Sequence, residues 1–258
     1  MALSKKKNNE SKNMHFSRED QKKILSSSSP FIVKEAYSSI RTNLLFSQKG
    51  DECPVFIVTS PTANNGKSIN SVNMAVSFAQ MGKKTLLIDA DMRNPTVHRL
   101  FSIPVKNGLS EILAGLTDNI TVSKTDIENL SVLTAGKIPP NPSELLSSER
   151  TDKLFAFVKQ HYDCVFIDTP PVNLVTDPTA FATKSTGYIM IVKAGISDTQ
   201  STKKAVDSLT SLGANIVGFV LNDATESNGM KYYSYGKYRG YKYKSKYGYN
   251  YNYHYNYR

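Results

Sequence analysis

The fold is decided by residues 55–84, VFIVTSPTANNGKSINSVNMAVSFAQMGKK. A short apolar run, Val55–Thr59, leads into a loop that contains Gly-Lys-Ser, and a helical pattern, Lys67–Met81, follows the loop. This order of strand, loop and helix is the context of a phosphate-binding P-loop, in which main-chain N–H groups and the helix N-terminus favour an anion. The pattern predicts a nucleotide site formed by Thr62, Ala63, Asn64, Asn65, Gly66, Lys67, Ser68 and Ile69.

The loop departs from the usual G-x-x-x-x-G-K-S pattern. Pro61 stands where the first glycine is expected, and Asn64 and Asn65 precede Gly66. Because asparagine tolerates left-handed backbone geometry better than most residues, we expect the loop to close. A Gly-Lys-Ser turn without function is the alternative, and the flanking strand and helix disfavour it.

Apolar runs alternate with helical patterns throughout residues 31–222, which predicts repeated βα units. Several of the runs are apolar on both faces, as expected for strands that helices cover on each side. The predicted strands are Val55–Thr59, Thr85–Asp89, Leu130–Thr134, Val165–Asp168, Tyr188–Val192 and Ile216–Leu221, and the predicted helices are Val33–Ser47, Lys67–Met81, Ser143–Gln160 and Thr199–Leu212. The fold class is therefore α/β, with a mainly parallel central sheet flanked by helices.

Three aspartates follow predicted strands. Asp89 and Asp91 end the run TLLIDADMR, and Asp168 ends DCVFIDTPP. A single aspartate in such a place is commonly a turn residue or a helix N-cap. Together with a P-loop, however, the three predict a ligand site at this edge of the sheet, where we expect Ser68 and Asp168 to hold Mg²⁺.

The last residues of the chain have a composition that no folded core shows. Residues 231–258 contain seven Lys or Arg and no acid, and so carry +7 of the net charge of +10. Such a segment favours disorder and suits a phosphoacceptor, a nucleic-acid binder or a self-associating tail, and composition alone leaves these open. Its tyrosines are Tyr232, Tyr233, Tyr235, Tyr238, Tyr241, Tyr243, Tyr247, Tyr249, Tyr251, Tyr253, Tyr255 and Tyr257.

The chain is expected to contain one domain, residues 30–228, between a polar flexible segment, 1–29, and the basic tail, 229–258. The sequence shows no signal peptide and no run of 18 apolar residues. We therefore expect a cytoplasmic protein that reaches a membrane only through a partner or a basic surface. Cys53 and Cys164 lie at apolar runs and are expected to be core thiols.

These motifs together resemble those of the bacterial tyrosine kinases of capsule and exopolysaccharide synthesis, a branch of the MinD/ParA-like P-loop ATPases. The resemblance rests on SPTANNGKS, LLIDADMR and VFIDTPP, on residues 133–150, LTAGKIPPNPSELLSSER, and on the terminal tyrosines. It implies an autokinase that uses ATP and Mg²⁺ and phosphorylates its own tyrosine cluster, with subunits acting on one another. Lys67, Asp89 and Asp91 would be catalytic, with Asp89 acting on the tyrosine hydroxyl and Asp91 supporting the metal and phosphate site. Arg93 would contact the nucleotide phosphates or a neighbouring subunit, and Asn222 would contact the adenine base.

The resemblance also implies partners. These are further copies of the chain, a membrane-anchored activator that supplies a cytosolic segment and recruits the kinase to the membrane, and a protein-tyrosine phosphatase; no specific nucleic acid is expected. Glu35 and Arg41 match the family's subunit-contact helix, but Ser38 replaces a second arginine, which predicts a weaker or differently held oligomer.

Two other functions fit the sequence. One is a MinD/ParA-like ATPase that binds DNA or a membrane through the basic tail, although residues 60–65 lack the second lysine common in those relatives. The other is a non-catalytic adaptor whose tyrosines another kinase phosphorylates.

Overall fold

The structure, a computed structural model, describes residues 20–47 and 53–224. Its strands are β1 (Val55–Thr59), β2 (Thr85–Asp89), β3 (Ser123–Lys124), β4 (Leu130–Leu133), β5 (Cys164–Asp168), β6 (Gly187–Lys193) and β7 (Ile216–Asn222). Its α-helices are α1 (Phe31–Ser47), α2 (Lys67–Ala79), α3 (Val97–Leu100), α4 (Leu109–Leu113), α5 (Pro142–Leu146), α6 (Glu149–His161) and α7 (Thr199–Thr210), and a 3₁₀-helix spans Asp177–Phe181.

The strands form one sheet in the order β3-β4-β2-β5-β1-β6-β7. All pairs are parallel except the short antiparallel pair of β3 and β4. The prediction of a mainly parallel sheet is confirmed. Because neighbouring strands run the same way, the loops that follow β1, β2 and β5 meet at one edge of the sheet.

Helices cover both faces of the sheet, as the apolar strands predict. Along β1, Val55 and Ile57 pack into the cluster that contains side chains of α4, α6 and α7. Phe56 and Val58 pack into the opposite cluster, with α1, α2 and α3. Since side chains alternate along a strand, a run without polar residues serves two cores at once. Cys164 belongs to one of these cores and Cys53 packs against the other, as expected.

The predicted helix Ser143–Gln160 is wrong in its continuity, because α5 and α6 are separate. Ser148 has extended backbone geometry and occupies the N-cap position of α6, where its side chain makes no capping bond to the helix. Its hydroxyl donates to the Leu145 carbonyl at 2.7 Å, and the Thr151 hydroxyl donates to the same oxygen at 3.3 Å. Serine side chains that bond to nearby carbonyls compete with helical hydrogen bonds, and this competition ends α5.

The segment before α1 packs against α2. The Leu25 side chain is buried, its N–H donates to Asn73 Oδ1 at 2.8 Å, and Asn73 Nδ2 donates to the Lys23 carbonyl at 3.0 Å. These contacts lie before the domain start predicted at residue 30. The domain boundaries stay predictions, and the tyrosine cluster lies outside the described residues. No helix in the described parts of the chain is long and apolar enough to cross a membrane.

Replacement of Leu25 by alanine tests whether this segment contributes to the fold. Leu25 is 4% exposed. We expect Leu25→Ala to lower the free energy of unfolding by about 2 to 4 kcal/mol in urea titrations, since the change leaves a cavity. Leu116, 77% exposed, is the matched control, and Leu116→Ala should change stability by less than about 0.5 kcal/mol. Equal stability of the two variants would show that the segment is not part of the core.

Candidate active site

A cavity of about 630 Å³ lies at the edge of the sheet where β1, β2 and β5 end. Most of the predicted nucleotide residues line it: Ala63, Asn64, Gly66, Lys67, Ser68, Ile69 and Arg93, together with Asp91. The other predicted site residues do not line the cavity, but their hydrogen bonds hold the P-loop, α2 and the main chain of Asp91. These residues are Thr62, Asn65, Asp89, Asp168 and Asn222. The sheet therefore brings residues from distant parts of the sequence to one site.

The P-loop closes with asparagine in the left-handed region, as expected. Asn64 has φ 62° and Gly66 has φ 83°. A β-carbon on Gly66 would also collide with the side-chain amide of Asn222, so this position needs glycine. Because α2 begins at Lys67, the unpaired N–H groups of its first turn lie beside the loop, as phosphate binding requires.

Asn65 is a structural member of the loop. Its side chain is fully buried. Its Nδ2 donates to the carbonyl and hydroxyl oxygens of Thr62 at 2.8 and 3.0 Å, and its Oδ1 accepts from the Ser197 hydroxyl at 2.7 Å. Asn222 donates to the Asn65 carbonyl at 3.0 Å. Asn65 and Asn222, both predicted to contact nucleotide, thus contact the loop itself here.

The metal residues predicted from the sequence lie together. Asp168 Oδ1 accepts from the Ser71 hydroxyl at 3.0 Å, and Ser68 is close enough to lower the pKa of Asp168. Asp168 Oδ2 is buried without a hydrogen-bond partner among the described residues. Lys67 Nζ lies 3.7 Å from Asp91 Oδ2, and the two side chains are 11% and 8% exposed.

Burial raises the pKa of all three aspartates. For Asp168 burial raises the pKa to about 6, against the opposing effect of Lys67. For Asp89 burial and then the charge of Asp168 raise the pKa, while the N–H of Val97 opposes the shift. Burial also raises the pKa of Asp91, and Lys67 opposes this. Three buried carboxyl groups beside one ammonium group leave an excess of negative charge that a cation relieves.

The oxygen donors of this site fit a Mg²⁺ ion that is bound together with a nucleotide. In the described parts of the chain, no three His, Cys, Asp or Glu side chains converge as a complete metal cage. Mg²⁺ commonly binds through one or two carboxylates, with substrate phosphates and water filling its remaining positions. The unpartnered oxygen of Asp168 and the hydroxyl of Ser68 suit such a site.

Asp89, predicted to act on the tyrosine hydroxyl, is fully buried. Its Oδ1 accepts from the Asp91 N–H at 3.2 Å, and its Oδ2 accepts from the N–H groups of Thr96 and Val97 at 3.1 and 3.0 Å. It therefore holds the start of α3 and the main chain of Asp91, which is the residue of this pair that lines the cavity. Its catalytic role stays a prediction.

Arg93 is held by an aspartate that sequence reasoning missed. Arg93 Nε and NH2 lie 2.8 and 2.9 Å from the two oxygens of Asp177, which is fully buried. The Ser143 hydroxyl donates to Asp177 Oδ1 at 3.0 Å. A bidentate pair of this kind fixes the guanidinium group at the cavity wall. The Asp-Pro pair at 177–178 is the only local signal, and it predicts a turn rather than an arginine partner.

The predicted oligomer contacts differ in their surroundings. Glu35 is exposed on α1. Arg41 turns toward α2, where its NH1 donates to the carbonyl and hydroxyl of Ser77 at 2.9 and 3.1 Å, and its NH2 donates to the Ser38 hydroxyl at 3.3 Å. The serine that replaces the second arginine thus accepts a hydrogen bond from Arg41.

Comparison with known proteins finds relatives whose names describe tyrosine kinases. A family model described as an AAA domain matches residues 62–209. The chain is 41% identical over 207 residues to the putative tyrosine-protein kinase CapB of Staphylococcus aureus, covering 80% of this chain and 91% of CapB. It is 36% identical to the tyrosine-protein kinase CpsD of Streptococcus agalactiae, covering 81% and 90%. The kinase domain of the Escherichia coli tyrosine kinase ETK superposes with a TM-score of 0.71 at 30% identity, covering 85% and 80%.

Replacement of Asp168 by asparagine tests the buried charge. Folding raises the pKa of the Asp168 carboxyl to about 6. The free energy of unfolding therefore falls as the pH rises through about 4 to 6, because the unfolded chain loses this proton more readily than the folded chain does. We therefore expect Asp168→Asn to raise the free energy of unfolding at pH 7.5 by about 1 to 3 kcal/mol without Mg²⁺ or nucleotide, and by much less at pH 4.5.

The exposed Asp118 provides the control, and Asp118→Asn should leave the unfolding curves nearly unchanged at both pH values. If Asp168→Asn were less stable than the wild type at pH 7.5, the site would not carry the excess charge that we derive.

Proposed function

Because the chain belongs to the family of bacterial tyrosine-protein kinases, we propose that it is an ATP-dependent autokinase whose substrate is its own C-terminal tyrosine cluster. The chain is a tyrosine-protein kinase with a nucleotide-binding AAA domain. The identity of the acceptor and the exchange between subunits are proposals, as is a role in capsule or exopolysaccharide synthesis.

The observation that carries the proposal is the placement of the tyrosines within the described residues. Tyr188 is fully buried and its hydroxyl donates to the Pro178 carbonyl at 2.6 Å. The Tyr37 hydroxyl donates to Asn70 Oδ1 at 3.0 Å. Tyr162 is half-buried just before β5, at the sheet edge opposite the cavity. These three tyrosines are poor acceptors, which supports self-phosphorylation on the cluster from Tyr232 to Tyr257.

The origin of the tail also supports this assignment. Strand β7 ends at Asn222, which donates to the P-loop, so the chain leaves the domain at the edge of the site. We propose that the transfer takes place between subunits, as the family resemblance implies.

We propose the following roles for the residues of the site. Lys67 and the P-loop N–H groups hold the ATP phosphates. Ser68, Asp91 and Asp168 hold Mg²⁺, which supplies charge that offsets the phosphate oxygens. Arg93, fixed by Asp177, provides a further cation at the cavity wall.

In the transfer, the tyrosine oxygen forms a bond to the γ-phosphorus while the bond to the β-phosphate oxygen breaks, and ADP leaves. The hydroxyl proton passes to Asp89, whose pKa is raised by burial and by the charge of Asp168 toward that of a tyrosine hydroxyl. Asp91 lines the cavity and remains with the metal. Asp89 fixes the main chain of Asp91.

The proposed partners follow from the family. We propose a homo-oligomer, a membrane-anchored activator that recruits the kinase to the inner face of the membrane, and a phosphatase that removes the phosphates. The exposed Glu35 is the better candidate for a contact between subunits, because Arg41 already binds α2.

Intact-mass spectrometry tests the autokinase. The protein is treated with phosphatase, purified and incubated with MgATP. We expect successive additions of phosphate to the wild type, and none to Lys67→Met or to a chain truncated after Asn228, because the first lacks the phosphate-binding lysine and the second lacks the acceptors.

Lys153→Met, an exposed lysine on α6, is the matched control and should gain phosphate as the wild type does. Phosphate on the truncated chain would refute the tail as the acceptor. ATP hydrolysis without phosphate on the protein would favour an ATPase, and phosphorylation of Lys67→Met only by a second kinase would favour an adaptor.

Replacing Glu35 and Arg41 one at a time tests which residue contributes to self-association and which to the stability of the domain. We expect Arg41→Ala to lower the free energy of unfolding by about 1 to 2 kcal/mol at every protein concentration, because three hydrogen bonds to α2 and α1 are lost. Glu35→Ala should weaken self-association in sedimentation velocity while leaving stability unchanged. Weaker association of Arg41→Ala at unchanged stability would instead make Arg41 an intersubunit contact.

A further inference from the structure

The Asn222 side chain packs against Gly66, a position of the P-loop that requires glycine. Its Nδ2 donates to the Asn65 carbonyl at 3.0 Å. The same nitrogen occupies the space that a β-carbon on Gly66 would need. The side chain at the end of β7 is thus packed onto the peptide that joins residues 65 and 66.

This contact fixes the direction of an N–H group. A peptide unit is planar and trans, so the Asn65 carbonyl and the Gly66 N–H point in opposite directions. With the carbonyl held by Asn222, the Gly66 N–H is held on the other side of the loop. The next peptide is fixed in the same way, because the Gly66 carbonyl accepts from Asn70 N and Nδ2 at 3.1 and 2.9 Å. Main-chain N–H groups of this loop are the phosphate ligands.

Hydrogen bonds of the Asn65 side chain also restrain the Asn65–Gly66 peptide. The side chain bonds to Thr62 within the loop and accepts from Ser197, which lies after β6. The Ser197 hydroxyl in turn accepts from the Lys193 N–H at 2.9 Å, so it is tied to the end of that strand. Ser197, in the loop after β6, and Asn222, at the end of β7, therefore hold residue 65 from two directions.

We propose that Asn222 is a positioning residue for phosphate binding, acting through the Asn65–Gly66 peptide, and that Ser197 supports it through the Asn65 side chain. The family resemblance predicts a contact of Asn222 with adenine, whereas the amide donor is used here on the P-loop. The proposal rests on the proposed ATP binding at this site. Its consequence is that the contribution of Asn222 does not depend on the base.

The test compares two ligands, magnesium tripolyphosphate and MgADP, by isothermal titration calorimetry with the full chain. We expect Asn222→Ala to weaken both by the same factor, about threefold to tenfold, as for the loss of one hydrogen bond. Ser197→Ala should weaken both by a similar factor, and Ser197→Thr, which keeps the hydroxyl, should restore binding.

Asn215 is the matched control, because its Nδ2 donates to the Thr186 carbonyl at 2.9 Å at the other end of β7. Asn215→Ala should leave both affinities within twofold of the wild type. Thermal melts without ligand identify any variant that is unfolded, in which case Asn222→Leu, similar in size and uncharged but without the N–H donor, replaces Asn222→Ala.

The outcomes separate the alternatives. Weakened MgADP with unchanged tripolyphosphate would overturn the proposal in favour of a base contact. Unchanged affinity for both ligands, or equal weakening in Asn215→Ala, would also overturn it. A wild-type protein that binds neither ligand would refute the ATP site itself, while loss of autophosphorylation with intact binding would concern only the proposed kinase reaction.

Discussion

Parallel pairing of β5 with β1 on one side and with β2 on the other is the constraint on which the site depends. It sets Val58 beside Asp168 and Asp168 beside Asp89, so that the loops after the three strands share one edge. The same pairing buries charge, because strands covered on both faces have little contact with water at their ends. Lys67 compensates part of this charge, and one oxygen of Asp168 stays without a hydrogen-bond partner among the described residues. Stability without ligand and readiness to bind a nucleotide therefore oppose each other at the same residues.

The asparagines of the P-loop show how a sequence can depart from a motif and keep its geometry. Asn64 adopts the left-handed conformation that glycine commonly provides. Asn65 adds what glycine cannot, a side chain that bonds to Thr62 and Ser197. A loop made of glycines would lose more backbone entropy on ordering. Side-chain contacts from Ser197 and Asn222 restrict the loop before any ligand binds, which lowers the entropy lost on binding.

The sequence predicts the parts of the molecule that local pattern controls. The apolar runs give the six parallel strands, and the Gly-Lys-Ser loop gives the helix start at Lys67, because each depends on neighbours in the chain. The partner of Arg93 was not predictable, since Asp177 reaches it only through the fold. The contact between Asn65 and Asn222 was not predictable for the same reason, since it joins residues far apart in the sequence. The break between α5 and α6 depends on serine hydroxyl bonds that a helical periodicity does not record.

The surroundings of the tyrosines in the described domain are compatible with the proposed self-phosphorylation of the tail. A tyrosine in the core of the domain contributes packing, but phosphorylation there would place about two negative charges inside the protein and unfold it. Tyr188 is protected because its ring is buried and its hydroxyl is bonded to the Pro178 carbonyl. Tyr37 is protected by its bond to Asn70, which also binds the Gly66 carbonyl and so belongs to the support of the P-loop. Phosphorylation of Tyr37 would thus damage the site that performs it. If the proposed self-phosphorylation takes place, its acceptors are therefore expected among the twelve tyrosines from Tyr232 to Tyr257 rather than among the three of the described domain.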